Sequence, residues 1–420
     1  MLIGVLLIFQ FLAWLSVVGG FAGQFCAFGY LNIVGVFLAY YHTHQLADLS
    51  PADISWIGSA QSFVCSASGL LCGRVCDMYG PRILAITGTF MLPFGILLSA
   101  FCTHWIEFMI VQSFIVPLGA AMLFYSTTAS MSSWFVKKRG VAFGIATTGS
   151  SIGGVVMSYV FDQLSTQKSY QRAVFALAMI QFCVACVTIP SSTIRMQVVS
   201  DGRRSFDFRN NFVKPFLNEP VFALFTLSMS LTYLGIFVPY AYMASHALHI
   251  GVPLDRALHV VTAMSAGSLF GRVAAGAVAD IRSHSRKWQF STSTGVAACA
   301  SLTCFPLWFA SRSENAVVFT AAVYGAASGG VLALYPSVVA RISPAKDIGS
   351  RVGAMSFVMA FGSLVSLPIA GGIVGRTEGG GFGGLQFYAA SALAGGAIVC
   401  FIAGRKSSEG AIRLGDEDDL

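Results

Sequence analysis

Apolar residues along this chain come in blocks of about 20, the length needed to cross a bilayer core as helix, parted by short charged or turn-rich breaks. The blocks are apolar on all sides and do not alternate, which favours helices over the strands of a membrane barrel. Twelve are read, at 14–41, 54–74, 83–103, 106–130, 140–161, 171–190, 221–245, 255–277, 288–310, 315–340, 350–373 and 383–404. The longest break, 191–220, holds Arg195, Arg203, Arg204, Arg209 and Lys214, with Pro215 and Pro220 near its end. The pattern predicts an all-α membrane protein of twelve transmembrane helices in two six-helix halves. The halves are residues 1–190 and 221–404, with a cytoplasmic linker at 191–220 and a cytoplasmic tail at 405–420.

Composition agrees. The chain is 55% hydrophobic and 10% charged, against about 25% charged in a soluble domain. A net charge of +7 would suit nucleic acid, but the charge is not patched. With the N-terminus inside, the even-numbered breaks and the tail carry 20 of the 25 Lys and Arg residues. Only Lys168, Arg172, Arg256, Arg312 and Arg376 fall on the other side. A missed or invented span would scramble this alternation, so the basic residues orient the protein, both termini cytoplasmic. The plasma membrane is the expected location, the lipid bilayer a partner, and nucleic acid is not; nothing in the sequence sets an oligomeric state.

Residues 1–41 hold no charged side chain and as one helix would be about 60 Å long. No basic region opens the chain as in a secretory signal. The first dozen residues are expected to lie along the interface or to reflect a shortened reading frame. Nearly all ten cysteines fall inside apolar blocks, where they read as small packing residues. The Cys183–Cys186 pair lacks a second ligand pair, so no metal site is expected, and no cofactor motif is present.

The break after the second block reads Gly69-Leu-Leu-Cys-Gly73-Arg74-Val-Cys-Asp77-Met-Tyr-Gly80-Pro-Arg82, and that after the eighth reads Arg272-Val-Ala-Ala-Gly276-Ala-Val-Ala-Asp280-Ile-Arg282. Gly73 and Asp77 recur as Gly276 and Asp280, 203 residues on, about half the chain. The recurrence implies a parallel internal repeat of the kind found in transporters. Glycines one turn apart let helices approach closely. An acid and an arginine at the membrane edge can bridge neighbouring helices and be remade as halves rock. Gly73, Asp77, Gly80, Arg82, Gly276 and Asp280 are therefore candidate gating residues, the alternative being ordinary edge charges.

These motifs resemble the inner-loop signature of the major facilitator superfamily. Gln24-Phe25-Cys-Ala-Phe28-Gly29-Tyr30-Leu-Asn32 with Ile54-Ser55-Trp56-Ile57-Gly58, Trp134-Phe135-Val-Lys137-Lys138-Arg139-Gly140 through Gly144, Gly149-Ser150-Ser151-Ile-Gly153-Gly154, Gly349-Ser-Arg351-Val-Gly353 and Pro368-Ile369-Ala370-Gly371 are similar to the fungal branch of its monocarboxylate-porter family. The resemblance spans about 14–404. It implies the major facilitator fold and secondary transport of small organic acids or metabolites by alternating access, in fungal relatives often pathway-specific or secondary metabolites. Animal members that couple lactate to protons carry a Lys where Asn32 stands, and an Asp where Ser268 precedes Arg272.

An ionisable residue inside a span costs about 2.5–3.5 kcal/mol on insertion, so it is a functional candidate. No carboxylate maps near a midplane, which weakens proton coupling. Arg272 is the deepest cation and could hold an organic anion bidentately, or simply snorkel. Tyr30, Asn32, Tyr125, Tyr233, Tyr240 and Tyr335 could hydrogen-bond a solute or serve as packing aromatics. Six histidines, His42, His44, His104, His246, His249 and His259, fall toward the outer face, as solvated loop residues or a pH-responsive gate. No base or nucleophile has an orienting partner, so the chain is not read as an enzyme. The expectation is a facilitative or secondary active transporter of an organic acid or secondary metabolite, a facilitator or an exporter, with the direction not set by the sequence. Proton-coupled uptake, or a non-transporting nutrient receptor on the same fold, is the alternative.

Overall fold

The computed structural model describes residues 2–49, 51–135, 138–167, 169–193, 214–282, 285–344, 347–376 and 382–414. Every regular element among them is helical. Eleven helices are long and apolar enough to cross a membrane: Gln10–His42, Pro81–Ser99, Trp105–Trp134, Arg139–Ser165, Tyr170–Ser191, Pro220–His249, His259–Asp280, Arg286–Ala310, Glu314–Ile342, Ile348–Val374 and Gly383–Ser408. The remaining expected span, 54–74, is carried by Pro51–Ala67 and Gly69–Tyr79, which part only at Ser68. In chain order these are the first to twelfth spans. Helix is what lipid demands, because each backbone N–H and C=O must find a partner without water. Large apolar side chains such as Phe90, Phe94, Tyr159, Phe175, Phe270 and Phe319 are exposed, as a lipid-facing surface requires.

The chain divides into two compact units. One comprises Met1–Val136, Ile145–Asp207 and Ser343–Ala360; the other comprises Lys137–Gly144, Phe208–Ile342 and Phe361–Leu420. Most of the expected linker, and residues 415–420 of the expected tail, lie outside the described residues. The first helix runs unbroken from Leu2 to Asn32, so no turn separates the first dozen residues from the span.

Several spans are interrupted, each for a local reason. The first breaks at Ile33, whose N–H turns to the Tyr30 carbonyl, before Val34–Thr43 resumes. In the second, the Ser68 hydroxyl donates to the Val64 carbonyl at 2.5 Å, a back-bond that bends helices. In the fourth, Pro117 has no N–H for the Ser113 carbonyl, and the preceding turn widens into a π-helix at Val111–Ile115. Pro306 lies in a second π-turn, Thr303–Leu307, in the ninth span. The seventh breaks at Phe237 ahead of Pro239. Carbonyls just before the break accept from side chains: Tyr324 donates to Ile236 at 2.7 Å, and Ser366 and Tyr388 donate to Leu234 at 2.6 and 3.2 Å. The breaks at Ile33 and Phe237 lie 204 residues apart, within one residue of the motif repeat.

Candidate functional site

Two helix-end clasps and one buried cationic cluster carry the candidate chemistry. In the first unit, Gly73 lies so close to the Gly349 carbonyl that a Cβ there would collide with it, and Gly353 meets the Gly69 carbonyl in the same way. One turn beyond Gly73, the Asp77 carboxylate accepts from the Gly349 N–H at 3.0 Å and the Ser350 N–H at 2.6 Å. The second unit repeats the arrangement. Gly276 meets the Gly140 carbonyl, Gly144 meets that of Arg272, and Asp280 accepts from the Gly140 and Val141 N–H groups at 3.0 and 2.7 Å.

Both acids thus bind the first turn of a long helix, Ile348–Arg376 or Arg139–Gln167. First-turn N–H groups have no partner inside their own helix, and they form the positive end of its dipole. Both acids are held by backbone N–H groups; Arg82 is exposed and, among the described residues, forms no ion pair. Gly80 takes φ 82°, a left-handed turn that frees Pro81 and Arg82 to begin the third span. The glycines at 140, 144, 349 and 353, conspicuous in the sequence, are the receiving surfaces of the two clasps.

Burial raises the Asp77 carboxyl from 3.8 to about 6; hydrogen bonds from Ser350 and Gly349 offset part of the desolvation, and Asp347 adds a small increase. The buried acid therefore holds its proton more tightly than a solvated one. Its contribution to stability is full below about pH 4 and is lost as pH rises through about 6. Thermal unfolding of the wild type and Asp77→Asn between pH 4 and 7.5 checks this. The wild type should lose up to about 3 kcal/mol relative to the variant over that interval; parallel pH profiles would contradict it.

The cationic cluster lies wholly in the second unit. The eighth and tenth spans cross almost backbone to backbone: Gly267 and Gly271 abut the Ala322 and Ala326 carbonyls, and Gly325 and Gly329 abut those of Met264 and Ser268. This crossing holds Arg272, only 6% exposed, inside the bundle, with its Nε donating to the Ser268 hydroxyl at 3.2 Å. Ser268 is neutral, so that bond leaves the guanidinium charge intact. Tyr233 and Tyr240 are its electrostatic neighbours. Tyr240 also shares a 3.1 Å hydrogen bond with Ser328, and its ring meets that of Tyr324 edge-on. Tyr335 is buried two turns past Ser328, on the same helix face.

The three candidates of the first unit go to different places. Asn32, exposed at the break in the first span, donates to the Ser150 carbonyl at 3.1 Å and lies against Gly154 of the fifth span. Tyr125 lies over Gly69 and donates to the Ser66 carbonyl at 3.3 Å, beside the Ser68 bend. Tyr30 is fully buried and accepts from Gln112 of the π-turn at 3.5 Å. Gln112 donates to Tyr41 at 2.5 Å, Tyr41 pairs with Tyr170 at 3.0 Å, and Tyr170 donates to the Ser99 carbonyl at 3.2 Å. Gln112, Tyr41 and Tyr170 were not legible as a group, although a glutamine five residues before Pro117 in an apolar block is a usable signal.

Bilayer-length helices, with a repeated clasp at helix ends and a buried cation beside a broken helix, give the build of a polytopic membrane transporter. The chain matches the Major Facilitator Superfamily over residues 20–307 and 220–417, and it belongs to that family. It is 33% identical over 396 residues to "MFS-type transporter 1" of Ophiocordyceps sp. (strain BCC 1869), covering 94% of this chain and 85% of that one. It is 30% identical to the "Fujikurins efflux protein" of Gibberella fujikuroi (strain CBS 195.34 / IMI 58289 / NRRL A-6831), covering 92% and 81%. The solved proton:xylose symporter XylE superposes with a TM-score of 0.70 over 93% of this chain and 94% of that one, at 12% identity, a likeness of fold alone.

Proposed function

We propose that this transporter exports an organic anion, a carboxylate or an acidic secondary metabolite, by alternating access and without a proton partner. The observation that carries the reading is Arg272: a buried guanidinium whose serine neighbour, Ser268, is neutral, beside Tyr233 and Tyr240. A guanidinium fork matches a carboxylate in geometry and charge. The fork supplies the counter-charge, and the tyrosines supply orienting hydrogen bonds. In the first unit, Asn32 stays a separate candidate: it spends one amide N–H on the Ser150 carbonyl and keeps a second N–H.

Direction follows from charge. An uncoupled carrier of one negative charge is driven outward by an inside-negative potential, at about 2.3 kcal/mol per 100 mV. Described carboxylates lie in breaks or in the first or last turn of a span, which leaves no midplane proton relay among the described residues. The relative named for fujikurin efflux supports the same direction. The finer kinship with fungal monocarboxylate porters rests on the quoted motifs, and the departures at Asn32 and Ser268 argue against their proton symport. In this reading 1–190 and 221–404 are the moving halves, both termini face the cytoplasm, the plasma membrane is the location, and the Asp77 and Asp280 clasps form and break in each cycle.

The test is uptake and efflux of a carboxylate panel in a host lacking its own carriers, with and without an uncoupler. Efflux that depends on the chain and survives collapse of the proton gradient is expected. Accumulation abolished by the uncoupler would overturn the reading in favour of proton-coupled uptake.

A further inference from the structure

The second unit contains a cavity of about 320 Å³ at its far end from Asp280, where the seventh and ninth spans finish and the twelfth begins. It is lined by His246, His249, Phe309, Arg312, Phe382 and Gln386 among others. The eighth helix, Leu254–Asp280, starts just past His249 and carries Arg272 eighteen residues on, about 27 Å along its axis. The cavity is therefore separate from the Arg272 cluster.

Its polar groups are set by a buried framework. The Trp308 indole N–H donates to Nδ1 of His246 at 3.2 Å, which leaves the ring proton on Nε2 as a donor. Gln386 holds the same tryptophan by donating to its carbonyl at 3.3 Å. His246 and Gln386 are 8% and 3% exposed, so both polar groups are held inside the unit. The Phe382 ring touches both imidazoles, at 5.2 Å from His246 and 5.5 Å from His249. Arg312 is exposed. The nearest acid in sequence, Glu314, is taken by Arg256 at 3.0 Å, so among the described residues Arg312 has no carboxylate partner.

Imidazole donors, a permanent cation and the rings of Phe309 and Phe382 line the same cavity, and together they select one kind of ligand. We propose that this cavity is a second binding site, distinct from the Arg272 cluster, for an organic anion that carries an aromatic ring. Arg312 and the imidazole N–H groups take the carboxylate, and Phe309 and Phe382 take the ring. A volume above 300 Å³ is within the ordinary range for small-molecule sites.

The test is equilibrium dialysis of radiolabelled benzoate against the full-length protein in lipid nanodiscs, with benzamide as the neutral probe of the same shape. Arg312→Gln and His249→Gln should each weaken benzoate binding about tenfold, the loss of one charge-assisted bond. Both leave the Trp308–His246 pair in place, and unchanged melting temperatures check that the unit is intact. Arg272→Gln should retain this class of site, which separates it from the transport reading above. Benzamide should bind at least about tenfold more weakly than benzoate. Equal benzoate affinity in wild type and Arg312→Gln, equal affinity for the two probes, absence of binding to the wild type, or loss confined to Arg272→Gln would each overturn the proposal.

Discussion

Replacing Arg272 with glutamine is expected to lower anion efflux at least about 100-fold while the protein still reaches the membrane in normal amount. A charge-assisted hydrogen bond contributes about 1.5–3 kcal/mol, and a bidentate carboxylate contact makes two, so one lost fork can cost two or more decades of rate. Glutamine can keep a hydrogen bond to the Ser268 hydroxyl, which Arg272 makes now, so folding should survive. Glutamine also removes the desolvation cost of a full charge inside the span. Arg272→Lys keeps the charge but not the fork and should retain roughly a tenth of the rate. Initial efflux rates normalised to surface protein give the comparison. Full activity in both variants would remove Arg272 from the solute path.

Gly73→Val should also impair efflux, by a different route. A Cβ at Gly73 would collide with the Gly349 carbonyl, which a branched side chain cannot evade. The helix ends must part, and Asp77 then loses the Gly349 and Ser350 N–H groups. Overpacking of this kind costs about 1–3 kcal/mol or more. Efflux should fall about tenfold or further, and hydrogen exchange at the Gly349–Ser350 amides should accelerate by a similar factor. Gly276→Val should do the same at Gly140 and Val141, which Asp280 holds. Lost efflux with unchanged exchange at those amides would separate the clasps from transport.

The spans were legible because the bilayer imposes one length and one composition on each. All twelve expected segments coincide with described helices to within a few residues at most of their ends. The glycine and aspartate of each clasp were legible as a repeat. Their partners were not, since Gly349 lies 272 residues from Asp77 and a backbone N–H leaves no mark in composition. That is why an arginine was the natural guess for the acid's partner. Pro239 could have announced the break in the seventh span. Ser68 could not, because serine is common in helices and bends one only when its hydroxyl turns back on the chain. Of the candidate polar residues, Arg272, Tyr233 and Tyr240 are gathered in one cluster. Tyr125 spends its hydroxyl on the Ser66 carbonyl, and Tyr30 joins a buried network through Gln112. Identical residue types in similar apolar blocks diverge through neighbours that are distant in sequence.

Uncoupled anion export through Arg272 makes an electrical prediction. Purified protein in liposomes on a solid-supported membrane, given a step in organic-carboxylate concentration at equal pH on both sides, should move net negative charge with the solute. The current should vanish in Arg272→Gln. Transport of the same carboxylate with no net charge movement, as proton symport would produce, or an undiminished current in Arg272→Gln, would contradict the account.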